Sequence, residues 1–186
     1  GIGAQGQLGY PISSSCCTCP TSVPGLEGQS IVSATCGIAH TVVVDKNGVG
    51  FGFGWNHHGQ LGFGHTDNVT SPTKLGLPAG VVIQHVACGG AHTAVVSTDG
   101  HVYTCGSGNC GQLGHGDLQD VSEFRQVDVS VRAAYVACGE EFTVLVGMDH
   151  KVYTCGFGQV GQMGDGKLSS YARFTHIPSL DGCGVV

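Results

Sequence analysis

Three groups of residues have the types and spacing that chemistry uses. Gly1-Ile2-Gly3-Ala4-Gln5-Gly6, residues 106–111 and residues 156–161 each read G-x-G-x-x-G. That pattern holds a dinucleotide when a strand precedes it, a helix follows, and an acidic residue lies about 20 positions on. Here Gln-Leu-Gly or Gln-Met-Gly follows, without a helical apolar period. The glycines read as a turn device, and no cofactor is expected. Cys16 and Cys19 have the spacing of half a zinc site. No second C-x-x-C or H-x-x-x-H completes the four ligands of a structural zinc, so no metal is expected. His40 and His92 occupy one repeated position, where a third copy carries Phe142. A catalytic base or metal ligand rarely tolerates Phe, so these histidines read as structural, each ring bonding a neighbouring strand. Asp67, Asp117, Asp120 and Asp165 fall in separate polar loops, and no Ser-His-Asp grouping accompanies them. Nothing here points to a catalytic residue, and the chain reads as a non-enzyme.

The elements that carry these residues repeat. Cys36-Gly37-Ile38-Ala39-His40-Thr41 returns as Cys88-Gly89-Gly90-Ala91-His92-Thr93, and again as Cys138-Gly139-Glu140-Glu141-Phe142-Thr143. Gly6-Gln7-Leu8-Gly9 returns at Gly59–Gly62, Gly111–Gly114 and Gly161–Gly164, in steps of 53, 52 and 50 residues. A fixed period of this size marks a solenoid, propeller or array.

In the second unit, residues 81–88 form a β-rich run that ends at Gly89-Gly90. Residues 92–97 form a second run. Asp99-Gly100 is a two-residue hairpin signal, and residues 101–105 form a third strand. A fourth is expected near Phe124 to Val129, after a polar loop from Asp117 to Ser122. The first unit turns at Asn47-Gly48 and continues through Val49 to Phe53. The third has Asp149-His150, where the missing Gly suggests a different turn. Four short antiparallel strands in about 50 residues describe a propeller blade. The fold class is all-β. The expected units are about 31–80, 81–130 and 131–180, preceded by a partial unit at 1–30 and followed by the start of another at 181–186.

Composition agrees with strands joined by tight turns. Of 186 residues, 33 are Gly, well above the usual share of about 7%. Apolar runs reach only about five residues, too short to span a membrane. The net charge of −6 comes without a basic cluster, so no nucleic-acid footprint is expected from this segment. Cys36, Cys88 and Cys138 share one repeat position, and Cys105 and Cys155 share another. Cysteine at such positions behaves as a small buried apolar residue. That favours an intracellular, reducing compartment over a disulfide framework.

The pattern Cys-Gly-x-x-His-Thr, Asp-Gly-x-Val-Tyr, Gly-x-Gly-x-x-Gly-Gln-Leu-Gly resembles the regulator of chromosome condensation repeat family. The resemblance implies a seven-bladed β-propeller, of which this chain would hold about three and a half blades. It also implies a longer protein, or closure against another chain. Two roles follow from it. One is a scaffold for protein partners in the cytoplasm, nucleus, cilium or mitochondrion. The alternative is nucleotide exchange on a small GTPase. The family's exchange factor places acidic residues in the glycine loop, where this chain has Ala4, His57, Asn109 and Gln159. The single Trp55 argues against the tryptophan clusters of a light-sensing member. The expected partner face is the loop end carrying His40, Asn56, His57, His58, His92, Asn109 and Gln159. Gly59, Gly62, Gly111, Gly114, Gly161 and Gly164 are expected to serve the repeat itself.

Overall fold

The computed structural model describes residues 1–11 and 16–183. Part of the loop before Cys16, and residues 184–186 of the expected next unit, lie outside the described residues.

Among the described residues, twelve strands form three four-stranded antiparallel sheets, each a meander in chain order. The first blade holds β1 (Ile31–Cys36), β2 (His40–Asp45), β3 (Gly50–Gly54) and β4 (Val69–Lys74). The second holds β5 (Ile83–Cys88), β6 (His92–Ser97), β7 (Val102–Gly106) and β8 (Val121–Gln126). The third holds β9 (Ala133–Cys138), β10 (Phe142–Gly147), β11 (Val152–Gly156) and β12 (Tyr171–His176). Among the described residues of 1–30 the only pairing is an isolated bridge between Ile2 and Cys16, and a three-residue 3-10 turn, Pro178–Leu180, follows β12. Contacts between successive blades run through β1, β5 and β9, which makes these the inner strands.

Meandering connectivity fixes the two ends. The β1–β2 and β3–β4 loops of every blade emerge together, and the hairpin turns and blade-to-blade connections emerge at the other end. The first set is called the loop end below.

The core lies in the seams, because each blade has an apolar face toward each neighbour. Val42, Val44 and Leu75 of the first blade meet Cys88, Val95, Cys105 and Phe124 of the second. Ala94, Val96 and Val102 of the second meet Val136 and Leu145 of the third. A fully buried Val or Leu stabilises such a seam by about 1.5–3 kcal/mol.

Three sequence expectations change. The fourth strand begins at Val121, not Phe124, because Val121 already pairs with Gly106 across an irregularity in the ladder. The third hairpin turns like the other two: His150 takes φ +61°, the left-handed conformation that Gly48 and Gly100 supply at +74° and +79°. Cys36 is exposed although Cys88 is buried at the same repeat position, because Thr35 of the first blade covers Cys88, whereas among the described residues no strand covers Cys36 in that way.

Candidate functional site

The polar residues that recur in the repeat divide into those that close seams and those that face solvent. His40 and His92 close seams. Each is at most 1% exposed. His40 Nε2 lies 3.1 Å from Thr93 Oγ1 in the next blade, and His92 Nε2 lies 2.9 Å from Thr143 Oγ1. The Thr93 hydroxyl donates to the carbonyl of Gln60 at 2.6 Å, and Thr143 to that of Gln112 at 2.8 Å. A hydroxyl has one proton, and a carbonyl only accepts. Thr93 therefore accepts from His40, which fixes the Nε2–H tautomer and leaves Nδ1 bare. Nδ1 of both rings indeed has no partner among the described residues. Burial pushes the imidazole of His40 down to about 4 and that of His92 to about 3, so both are neutral near pH 7.

The glycine directly after each repeated cysteine is explained by the same rings. A Cβ on Gly37 would stand 2.2 Å from His40 Cε1, and one on Gly89 would stand 2.1 Å from His92 Cε1. Phe142 lies over Gly139 in the same manner. The ring is thus needed for its shape in all three units and for its N–H in two.

These positions correct the expected partner face. His40 and His92 are sealed between blades and cannot touch a partner. Asn56 is also fully buried. Its amide donates to the carbonyls of His65 and Asp67, and its Oδ1 accepts from Leu61 N–H, so it organises the β3–β4 loop from within. His115, in the β7–β8 loop, is buried as well, with Nε2 3.0 Å from Thr104 Oγ1. Burial lowers its pKa first, and the nearby Arg125 guanidinium lowers it further.

The exposed members are His57, Asn109 and Gln159, one from each blade, with His58 half-buried beside them. Trp55 stands edge-on to both His57 and His58, with ring centroids 5.9 and 5.3 Å away. His58 Nδ1 reaches across the blade boundary to Asp120 Oδ2 at 2.7 Å, while the other Asp120 oxygen accepts from Gly108 N–H. The Gln side chain of each Gly-Gln-Leu/Met-Gly repeat holds this loop from below. Gln60 Oε1 accepts from His58 N–H, Gln112 Oε1 from Cys110 N–H and Gln162 Oε1 from Val160 N–H. The loop backbone is therefore fixed by hydrogen bonds underneath, and the side chain before each bonded amide points outward.

Sequence reasoning missed two partners. Asp120 lies 62 residues from His58, so no local pattern joins them. Cys105 and Cys155 have a specific role besides small size. The thiol of Cys105 donates to the Gln60 carbonyl at 3.4 Å, and that of Cys155 to the Gln112 carbonyl at 3.4 Å, sharing the acceptor with the seam threonines. At the other cysteine cluster, Cys17 is exposed to a hydrogen bond from Tyr10 first and Thr21 second, which lower its pKa to about 7. No group of three or more His, Cys, Asp or Glu among the described residues gathers as metal ligands would.

The seam bonds give a direct test. Thr93→Val keeps the shape but leaves the His40 N–H without its acceptor, while the Gln60 carbonyl keeps only the weak Cys105 thiol donor. Unsatisfied buried groups cost about 1–3 kcal/mol each. The variant should lose about 3 kcal/mol in urea unfolding, against under about 1 kcal/mol for Thr93→Ser, which retains the hydroxyl.

A family model for the regulator of chromosome condensation (RCC1) repeat matches residues 1–44, 47–96 and 99–146. The ultraviolet-B receptor UVR8 of Arabidopsis thaliana is 36% identical over 121 residues, 64% of this chain and 27% of that protein. The human probable E3 ubiquitin-protein ligase HERC3 is 36% identical over 131 residues, 68% of this chain and 12% of that protein. Among solved structures, human WBSCR16 superposes with a TM-score of 0.86 at 27% identity, covering 97% of this chain and 47% of that one. Yeast RCC1 (Prp20), solved with Kap60 bound to it, gives 0.83 at 26% identity, covering 95% and 43%. The chain thus spans about a quarter or less of these curated relatives.

Proposed function

Because the chain belongs to the regulator of chromosome condensation (RCC1) repeat family, we propose that it is a non-catalytic platform for a protein partner, which it engages through the loop end. One observation carries this reading. His57, Asn109 and Gln159 come from the same repeat position in three successive blades, and all three are exposed on loops whose backbones are held from beneath. A rigid scaffold that presents variable side chains at an invariant position is the arrangement of a binding surface. Catalysis has no comparable support, since the buried histidines face seams.

The second reading, nucleotide exchange on a small GTPase, is favoured by Glu140 and Glu141. These are exposed carboxylates on the β9–β10 loop at the same end, outside the glycine loop where they were first sought. Exchange would need no covalent chemistry.

Replacing His57, Asn109 and Gln159 together by Arg tests the first reading. Partner affinity measured by calorimetry should fall by about tenfold or more, with the unfolding midpoint unchanged. Unchanged affinity would remove the reading. Acceleration of nucleotide release from a small GTPase, abolished by Glu140→Arg with Glu141→Arg, would select the second.

A further inference from the structure

At the inner rim of the loop end, three Cys-Gly-x steps lie side by side. Residues 36–38, 88–90 and 138–140 line a shallow groove of about 280 Å³ that crosses all three blades. Its floor is backbone. Ile38 N–H donates to the Gly90 carbonyl at 3.2 Å, and Gly90 N–H donates to the Glu140 carbonyl at 2.9 Å. Two side chains flank Gly90. A Cβ there would stand 3.3 Å from Ile38 Cδ1 and 3.0 Å from Glu140 Cγ. Ile38 is 66% exposed, which is unusual for an isoleucine on a rigid loop, and Glu140 is also exposed. An apolar wall, a floor of glycine backbone with cysteines along it and a carboxylate at its end are therefore contiguous.

Charge around the groove is one-sided. The loop end carries Asp67, Asp117, Asp120, Glu123, Glu140, Glu141 and Asp165 against Arg125, Lys167 and Arg173, a net −4 of the chain's −6. Lys46, Lys74, Arg132 and Lys151 all lie toward the opposite end, among its acids. Among the described residues no Lys or Arg forms an ion pair with Glu140 or Glu141; the one such pair at this end is Arg125 with Asp117. Leu118, Val160 and Leu168 add exposed apolar surface on the outer loops of the same end, with Leu168 Cδ2 4.0 Å from a Cβ placed on Gly161, next to Val160.

We propose that this groove receives a Lys- or Arg-bearing segment of a protein partner. Its aliphatic stem lies on Gly90 against Ile38, and its cationic head reaches Glu140 and Glu141. Long basic side chains bury their stems along apolar surface while the head seeks charge, which is the pairing of surfaces found here. The field of the loop end attracts such a segment from solution, and complementarity of this kind sets association rate and partner choice. The inference rests on the platform reading and names the partner chemistry of that same end.

The test uses a nine-residue peptide of alternating Lys and Leu, fluorescently labelled, and its Glu/Leu counterpart. Anisotropy at low salt should show binding of the first and not the second. Glu140→Lys with Glu141→Lys should weaken binding by about tenfold or more. Ile38→Asp adds a negative charge yet should weaken binding by several-fold, whereas attraction to net charge alone would strengthen it. Asp99→Lys with Asp149→Lys makes the same charge change at the opposite end and should alter affinity less than about twofold. Equal losses from the two charge-reversed pairs would overturn the proposal, as would no effect of Ile38→Asp or equal binding of the Glu/Leu peptide. None of those results touches the platform reading, whose own test is the triple replacement at His57, Asn109 and Gln159.

Discussion

Gly62→Ala should lower the unfolding free energy by about 4 kcal/mol, whereas Gly164→Ala should cost about 1 kcal/mol. The two residues hold the same place in the repeat and nearly the same backbone, with φ of +71° and +76°. Left-handed backbone costs a non-glycine residue about 1–2 kcal/mol in either site. The surroundings separate them. A Cβ on Gly62 would stand 2.3 Å from Phe124 Cδ2 and 3.2 Å from Cys105 Sγ, inside the packed seam with the second blade. Phe124 is only 6% exposed and has no free space to enter. Overpacking of this kind costs about 1–3 kcal/mol more. A Cβ on Gly164 would meet nothing within 4 Å. Gly114 resembles Gly62, with the Phe174 ring 2.6 Å away. Chemical denaturation of the two variants measures the difference. Equal losses would mean that the glycine serves only the loop conformation and that the seam contact contributes nothing.

Acid should unlock the seams well above the range of ordinary carboxylate titration. An unfolded histidine protonates near pH 6.5, whereas in the folded chain His40 protonates at about 4 and His92 at about 3. Between those limits the unfolded state binds more protons, so stability falls as pH falls. Each histidine contributes a slope of at most about 1.4 kcal/mol per pH unit. From pH 7 to pH 5 the pair should cost about 4 kcal/mol together. The exposed carboxylates act lower. Asp99, held at about 2 first by the Ser97 hydroxyl and then by His101, loses its contribution only below the usual carboxylate range. His92→Phe should remove about half of the loss between pH 7 and pH 5. Phe142 already fills the equivalent site, and Thr143 keeps its bond to the Gln112 carbonyl. A denaturation midpoint that stays flat between pH 7 and pH 5 in the unaltered chain would contradict the buried, neutral assignment.

The blade was legible because its signals are local. Val95 and Val96 in a β-branched run, and Asn47-Gly48 and Asp99-Gly100 as turns, act over a few residues. The seams were legible only as a repetition. His40 meets Thr93 across 53 residues, and Cys105 meets Gln60 across 45. That geometry follows from how blades stack, and no periodicity within one blade encodes it. Reading a repeated histidine as structural therefore agreed with the structure, while placing it at the loop end as a contact residue did not. Asn56 was misjudged for another reason. A short polar side chain in a loop can bond backbone as readily as a partner can, and here its amide turned inward to His65 and Asp67. Asn109 Oδ1 likewise accepts from Ser107 and Gln112 within its loop, yet His57, Asn109 and Gln159 are the ones that reach solvent.

The most direct measurement of the platform assignment is a photo-crosslinking map. A photoreactive amino acid is placed singly at His57, Asn109 and Gln159 on the loop end, and at Asn47, Asp99 and Asp149 on the opposite end, in the protein bound to its partner. The account predicts covalent adducts from the first three positions and background yield from the others. Adducts concentrated at Asn47, Asp99 and Asp149 would contradict it and move the partner surface to the hairpin end.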